Sequence, residues 1–439
     1  MKSMKKWISA TAIVAVASMT LAGCAGGTSA TGDAEVKASD EAVTIRISWW
    51  GSDTRVQITE DAIEAFEAEH SNIEVETTYN DWSGYWDKLA TENAGKNAPD
   101  VMQMDELYLA SYASQGSLFD LDKTSEYLSL DGMDESLRDM GKVDGVQYAA
   151  PISSTAFGVV INNDVVEQLG LTVPDTSAWT WDDLIEFAEQ VVQASNGETV
   201  GIAPLNNGMS LQLWARQQGE NLFEDGEVSI SEDTLASYLQ MSYDWTHGDN
   251  PIAGTPDHQA EQSSGTVDQS DFATNKQAMI FTQSTQISTY AKAAGTDNMT
   301  LVPMPNDDAS NKYGYLKPGM YWAVSSQSEH PAEAAMLIDY LLNNEEAGKT
   351  LGTDRGIPSN NTIRESLAET STGTDKQALD FPSQIEDTLG DAPAITPNGA
   401  SDLDKIIARY NQKVMFGEQS AADAAKAMIS EINTAIASA

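Results

Sequence analysis

The sequence predicts an α/β fold in two lobes with a ligand crevice beyond the carboxyl ends of its strands, and three observations predict it. Residues 43–79 read as one complete strand, helix and strand. The chain has 439 residues, too many for one small core. At Pro151 the pattern changes, from short turn-bounded segments to a buried-strand run followed by a capped helix, which marks a crossing into a second lobe.

In the opening unit, Val43, Ile45, Ile47 and Trp49 alternate with Thr44, Arg46, Ser48 and Trp50, the period of a strand. Ala62, Ile63 and Phe66 then fall on one helical face, and alternation resumes at Ile73, Val75, Thr77 and Tyr79, so the helix packs back as a right-handed crossover. In such sheets ligands bind beyond the carboxyl ends of the strands, where this first strand presents Trp49-Trp50-Gly51. Tyr85 to Asn93 reads as a helix ended by Gly95, and Val101 to Met104 as a strand that delivers Asp105 and Glu106 to the same crevice. A helix from Leu107 to Gln115 stops at Gly116, and Asp144-Gly145 marks a tight hairpin.

Beyond Pro151, Phe157 to Ile161 is a buried strand, Asn162 to Asp164 caps a helix, and Thr180 with Asp182 and Asp183 starts another. Val200 to Ala203 reads as a short strand, with helices around 210–218 and 234–245 and a weakly ordered stretch over 247–269. Residues 272–281 read as a helix running into a strand, 301–305 and 320–324 as two further strands, and the chain from His330 on as mostly helical.

Composition excludes several functions. A formal net charge of −43 repels phosphate backbones, so no nucleic-acid partner is expected. The four histidines form no His-Glu-x-x-His, so no zinc site is expected, and no Gly-x-Ser-x-Gly elbow occurs; no cofactor or other metal is expected. Glycoside hydrolysis by paired carboxylates stays open as the alternative function, because 67 acidic residues supply many pairs. The one cysteine, Cys24, follows Lys2, Lys5 and Lys6, an apolar run and Leu21-Ala22-Gly23. This resembles a bacterial lipoprotein signal over 1–23 whose Cys24 is acylated, with 24–41 as a flexible tether. Ten tryptophans are present, and Trp49, Trp50, Trp82, Trp214, Trp245 and Trp322 sit at expected loops or strand ends, while Trp86 and Trp181 read as packing. Indole faces suit the C–H faces of sugar rings, whose hydroxyls need fixed donors and acceptors.

Further segments, in this order and behind the lipobox, carry a family resemblance: Pro99-Asp100-Val101, Gly145 to Pro151, Val160 to Asn163, Trp181 to Leu184, Ala278-Met279, Trp322-Ala323-Val324 and Gly356-Ile357-Pro358. The chain resembles the lipid-anchored solute-binding proteins (family 1 type) of carbohydrate ABC importers. That resemblance implies a two-lobe periplasmic-binding-protein-like fold holding an oligosaccharide in the interlobe cleft and delivering it to permease subunits, as a non-enzymatic monomer on the outer face of the cell membrane. It implies residues 42–150 plus 275–318 as one lobe and 151–274 plus 319–439 as the other. It assigns Trp50, Trp82, Trp214 and Trp322 as sugar platforms, Asp105 and Glu106 as hydroxyl acceptors, Arg355 as a donor, and Gln283 or Ser284 as polar contacts where relatives carry Gly-x-Trp. The motif Asn80-Asp81-Trp82-Ser83-Gly84-Tyr85 resembles receptors for plant-derived oligosaccharides.

Overall fold

Alternation along the first strand sorts its side chains onto two separate cores. The computed structural model describes residues 36–438 apart from 52, 249–250 and 264–266; the expected signal segment 1–23, Cys24 and most of the 24–41 tether lie outside the described residues. In β1 (Val43–Trp50), Val43, Ile45, Ile47 and Trp49 pack with Ala62, Ile63 and Phe66 of α1 (Asp53–Glu69) and with the helix Pro331–Asn343. Trp50 faces the opposite core, formed with α2 (Trp82–Ala94) and α3 (Glu106–Ser114). Burying a large apolar side chain contributes about 1.5–3 kcal/mol, so these two cores hold helices against both faces of the sheet.

The first sheet runs, in spatial order, β2 (Ile73–Asn80), β1, β3 (Val101–Met104), Tyr321–Val324 and Ala149–Pro151. β1 to β3 are parallel, and Tyr321–Val324 is antiparallel to both of its neighbours. The second sheet runs Met299–Val302, Phe157–Asn162, Gln277–Gln283 and Val200–Ile202. A third small sheet sets Ser153–Thr155 between Lys317–Pro318 and Ile357–Pro358, both antiparallel to it. Ser153–Thr155 and Lys317–Pro318 lie where the chain passes from one large sheet to the other, and Ile357–Pro358 lies between helices packed on the first sheet and helices packed on the second, so the three crossings form one hydrogen-bonded hinge. Gly356, at φ +107°, packs on Ser153: a Cβ there would lie 3.0 Å from Ser153 Oγ, so the position favours glycine twice over.

The sheets correct the expected division into lobes. The strands within 275–318, Gln277–Gln283 and Met299–Val302, hydrogen-bond to Phe157–Asn162 and belong to the second lobe. Tyr321–Val324, expected in the second lobe, completes the first sheet. Two local expectations also change. Residues 272–275 form a turn and not a helix running into the strand at 277, with Asn275 at φ +58°. The described part of 247–269 contains a helix, Pro256–Gln262, whose Thr255 side chain accepts from His258 N.

The surface carries a testable consequence of composition. With 67 acidic residues against 24 basic ones, the folded state repels itself, and salt screens that repulsion. Raising NaCl from about 10 mM to about 0.5 M shortens the Debye length from about 30 Å to a few Å, so the thermal midpoint is expected to rise. A midpoint that falls with salt in scanning calorimetry would contradict this.

Candidate functional site

The carboxyl end of β3 faces the carboxyl end of Gln277–Gln283 across a partly open cavity of about 500 Å³. The first lobe contributes Asp105, Glu106 and Leu107; Asn207, Gln212, Gln283 and Asp404 line it from the second, with Tyr315 and Lys317 at the hinge. Local sequence explains several of these positions. Asp105 is the N-cap of α3, its Oδ1 accepting from Leu107 N at 3.0 Å, which holds Glu106 in the first helical turn facing the cavity. Asn207 caps the helix Gly208–Gln217 in a reciprocal box with Ser210, and Asp404 Oδ1 accepts from Gly208 N at 2.7 Å.

One ion pair dominates the electrostatics. The Lys317 ammonium donates to Glu106 Oε2, and Thr396 Oγ1 donates to Oε1 at 3.1 Å. Burial pushes the Glu106 carboxyl up, but Lys317 and Thr396 outweigh it and hold it below the usual range. Burial depresses Lys317, yet Glu106 holds its ammonium above the ordinary value. Burial raises Asp105, against the opposing effects of Leu107 N and Lys317. Two further chambers adjoin the cavity: one of about 760 Å³ shares Asn207 and Gln283, and one of about 1170 Å³ shares Pro393 and Ala394.

Of the residues expected from sequence, Asp105, Glu106 and Gln283 come together at this cavity. Trp82, the first residue of α2, does not line it; it is 40% exposed, its ring roughly perpendicular to that of Trp50 at 4.9 Å and 6.3 Å from that of Tyr108, which follows the cavity-lining Leu107 in α3.

The other expected contacts are placed elsewhere. Trp50 is 9% exposed, boxed by Trp82, Tyr85 and Trp86, so it supports Trp82 rather than meeting a ligand. Trp322 is 2% exposed: strand alternation sends it to the same core as Trp49, while Tyr321 and Ala323 face the other. Arg355 is buried under the same sheet, its guanidinium 5.4 Å from the Trp322 ring, with Nε donating to Gln103 Oε1 (3.0 Å) and Nη2 to Thr59 Oγ1 (2.9 Å). Burial lowers its pKa to about 9. It braces the first lobe and lines no part of the cavity. Ser284 is fully buried, its Oγ accepting from Ala156 N at 3.2 Å, and ties the second sheet to the hinge. Trp214 opens into a separate groove of about 590 Å³ with Trp181 and Trp245. It lies two residues, about 200° of helix, beyond the cavity-lining Gln212, hence on the far side.

Lys317, Tyr315, Asp404 and Thr396 were not expected from the sequence; they sit in loops, at a helix start and at the hinge, with no local pattern to mark them. Among the described residues no group of three or more His, Cys, Asp or Glu side chains is placed to hold a metal ion, and no helix is long and apolar enough to cross a membrane.

A model of the family described as bacterial extracellular solute-binding proteins matches residues 61–379. The arabinooligosaccharide-binding protein of Halalkalibacterium halodurans is 24% identical over 327 residues, covering 72% of this chain and 71% of that one. A maltooligosaccharide ABC transporter solute-binding lipoprotein of Streptococcus pneumoniae is 22% identical over 312 residues, 70% of each chain. Among solved structures, a periplasmic oligogalacturonide binding protein from Yersinia enterocolitica superposes with a TM-score of 0.77 at 22% identity, covering 90% of this chain and all (100%) of its own.

Proposed function

Because this chain belongs to the family of bacterial extracellular solute-binding proteins, we propose that it binds an oligosaccharide in the interlobe cleft and hands it unaltered to the permeases of an ABC importer. In this reading it acts as a monomer held at the outer membrane face through Cys24 once residues 1–23 are removed. The observation that carries the reading is the cavity of about 500 Å³ lined by polar side chains from both lobes, with the partly exposed Trp82 packed on Trp50 and Tyr108 of the first lobe. A ligand touching both walls favours the closed arrangement by its differential affinity, and the short hinge lets the lobes move as bodies. A platform plus several hydrogen bonds, at about 1 kcal/mol each, supports a micromolar Kd, about −8 kcal/mol. The two relatives, an arabinooligosaccharide-binding protein and a maltooligosaccharide solute-binding lipoprotein, bind ligands of the same class.

The same geometry disfavours hydrolysis. A glycosidase needs one carboxyl kept protonated beside a second that stays charged. Here Glu106 is held ionised by Lys317; Asp105 beside it is raised by burial but commits Oδ1 to capping α3, and the relatives named above are binding proteins, so the binding reading is preferred.

A thermal-shift screen over oligosaccharides, with chromatography of the incubated sugars, tests the proposal. Stabilisation without shorter products is expected; turnover would overturn it. Trp82→Ala is expected to weaken the sugar about tenfold or more while lowering the stability of the free protein far less than loss of a core tryptophan, because Trp82 is 40% exposed. Calorimetry showing equal affinity would remove Trp82 from the site.

A further inference from the structure

Three carboxylates, those of Asp105, Glu106 and Asp404, line the central cavity against one cation, Lys317. That cation is already engaged by Glu106. The adjoining 1170 Å³ chamber repeats the imbalance, with seven carboxylates around Lys142, Arg216 and Lys312. Each of these cations also has a partner: Lys142 pairs with Asp139 at 2.6 Å, Arg216 Nη1 donates to the Asp391 carbonyl at 2.7 Å, and Lys312 donates to the Asp387 carbonyl.

A sugar carboxylate is recognised through charge-assisted hydrogen bonds from an arginine or lysine free to receive it. The 760 Å³ chamber is lined by Lys405 and Arg409 with no carboxylate, but Lys405 pairs with Asp402 at 2.6 Å and Arg409 with Glu431 at 2.5 Å. Every cation lining the three chambers thus has a partner, and in the other two the carboxylates outnumber the cations, so a uronate entering there gives up its water and meets like charge. A neutral sugar meets no such penalty, since the same carboxylates accept its hydroxyl hydrogens.

We propose that this cleft selects neutral oligosaccharides and excludes uronic-acid ones, with Glu106 setting the selectivity by holding Lys317, the one cation in the central cavity. This rests on the carbohydrate reading above and narrows it. The oligogalacturonide-binding protein from Yersinia shares the fold, but at 22% identity that likeness carries nothing about the ligand.

Titration calorimetry on the wild-type protein compares neutral arabino-, xylo-, gluco- and galacto-oligosaccharides with oligouronates of equal length. The best neutral ligand is expected to bind at least about 100-fold more tightly than any uronate. A uronate that binds within about tenfold of it, or more tightly, overturns the proposal alone. Silence from both series overturns the carbohydrate reading and this inference with it. Glu106→Gln frees Lys317 and is expected to shift the uronate-to-neutral affinity ratio by at least about tenfold toward uronates; an unchanged ratio in a folded variant overturns the role given to Glu106. Should that variant fail to fold, Asp404→Asn removes one negative charge from the opposite wall and is expected to move the same ratio several-fold in the same direction. No movement there would overturn the electrostatic basis.

Discussion

Trp322→Ala is expected to destabilise the protein by about 3–5 kcal/mol, the range for deleting a fully buried tryptophan. The ring is 2% exposed on a strand paired on both edges, to Gln103 and to Ala150, so neighbours cannot collapse into the void without breaking the sheet. It also floors the Arg355 guanidinium, whose Nη1 already lacks a hydrogen-bond partner, and its loss leaves that cation over a hole. Urea denaturation followed by circular dichroism checks the value; a loss under about 1 kcal/mol would mean the ring is not a core element. The contrast with Trp82→Ala separates an indole that holds the fold from one that faces solvent.

Glu106→Ala is expected to cost about 3 kcal/mol and to change how stability varies with pH. Removing one partner of an enclosed ion pair strands the other, typically a loss of 3–5 kcal/mol, and the lower end applies because the Lys317 side chain keeps 30% exposure. The Glu106 carboxyl is depressed in the folded state, so its contribution is complete above its unfolded value near 4.5 and fades as pH falls through the lower folded one. The Lys317 ammonium is raised, so its contribution is complete below about 10.5 and fades as pH rises through the higher folded value. Wild type and variant are therefore expected to differ most between about pH 5 and 10 and to converge outside it. Parallel pH-stability curves with a constant gap would show that the pair does not titrate with folding.

Much of the first lobe was legible because its signals are local. The period-two run in β1, the single apolar face of α1 and the glycine stop at Gly116 after α3 each follow from residues a few positions apart. The site was legible only where a strand's carboxyl end fixed a residue, as for Asp105, Glu106 and Gln283. Alternation shows that Tyr321 and Trp322 point opposite ways, but both faces of this sheet are covered by helices, so periodicity cannot say which core each joins. Lys317 was invisible because its meaning depends on Glu106, 211 positions away. Sheet membership of the strands near 280, 300 and 322 failed for the same reason: strand pattern carries no address.

That the strand Tyr321–Val324 lies between β3 and Ala149–Pro151 has a consequence for how the protein is made. Until ribosomes deliver this late segment, β3 has an unpaired border, and the first lobe stays an incomplete half-sheet able to pair with a neighbouring chain. Neither lobe is a contiguous stretch of sequence, so maturation waits for nearly the whole polypeptide, and an assisting factor that shields β3 during export would act on the protein's most exposed moment.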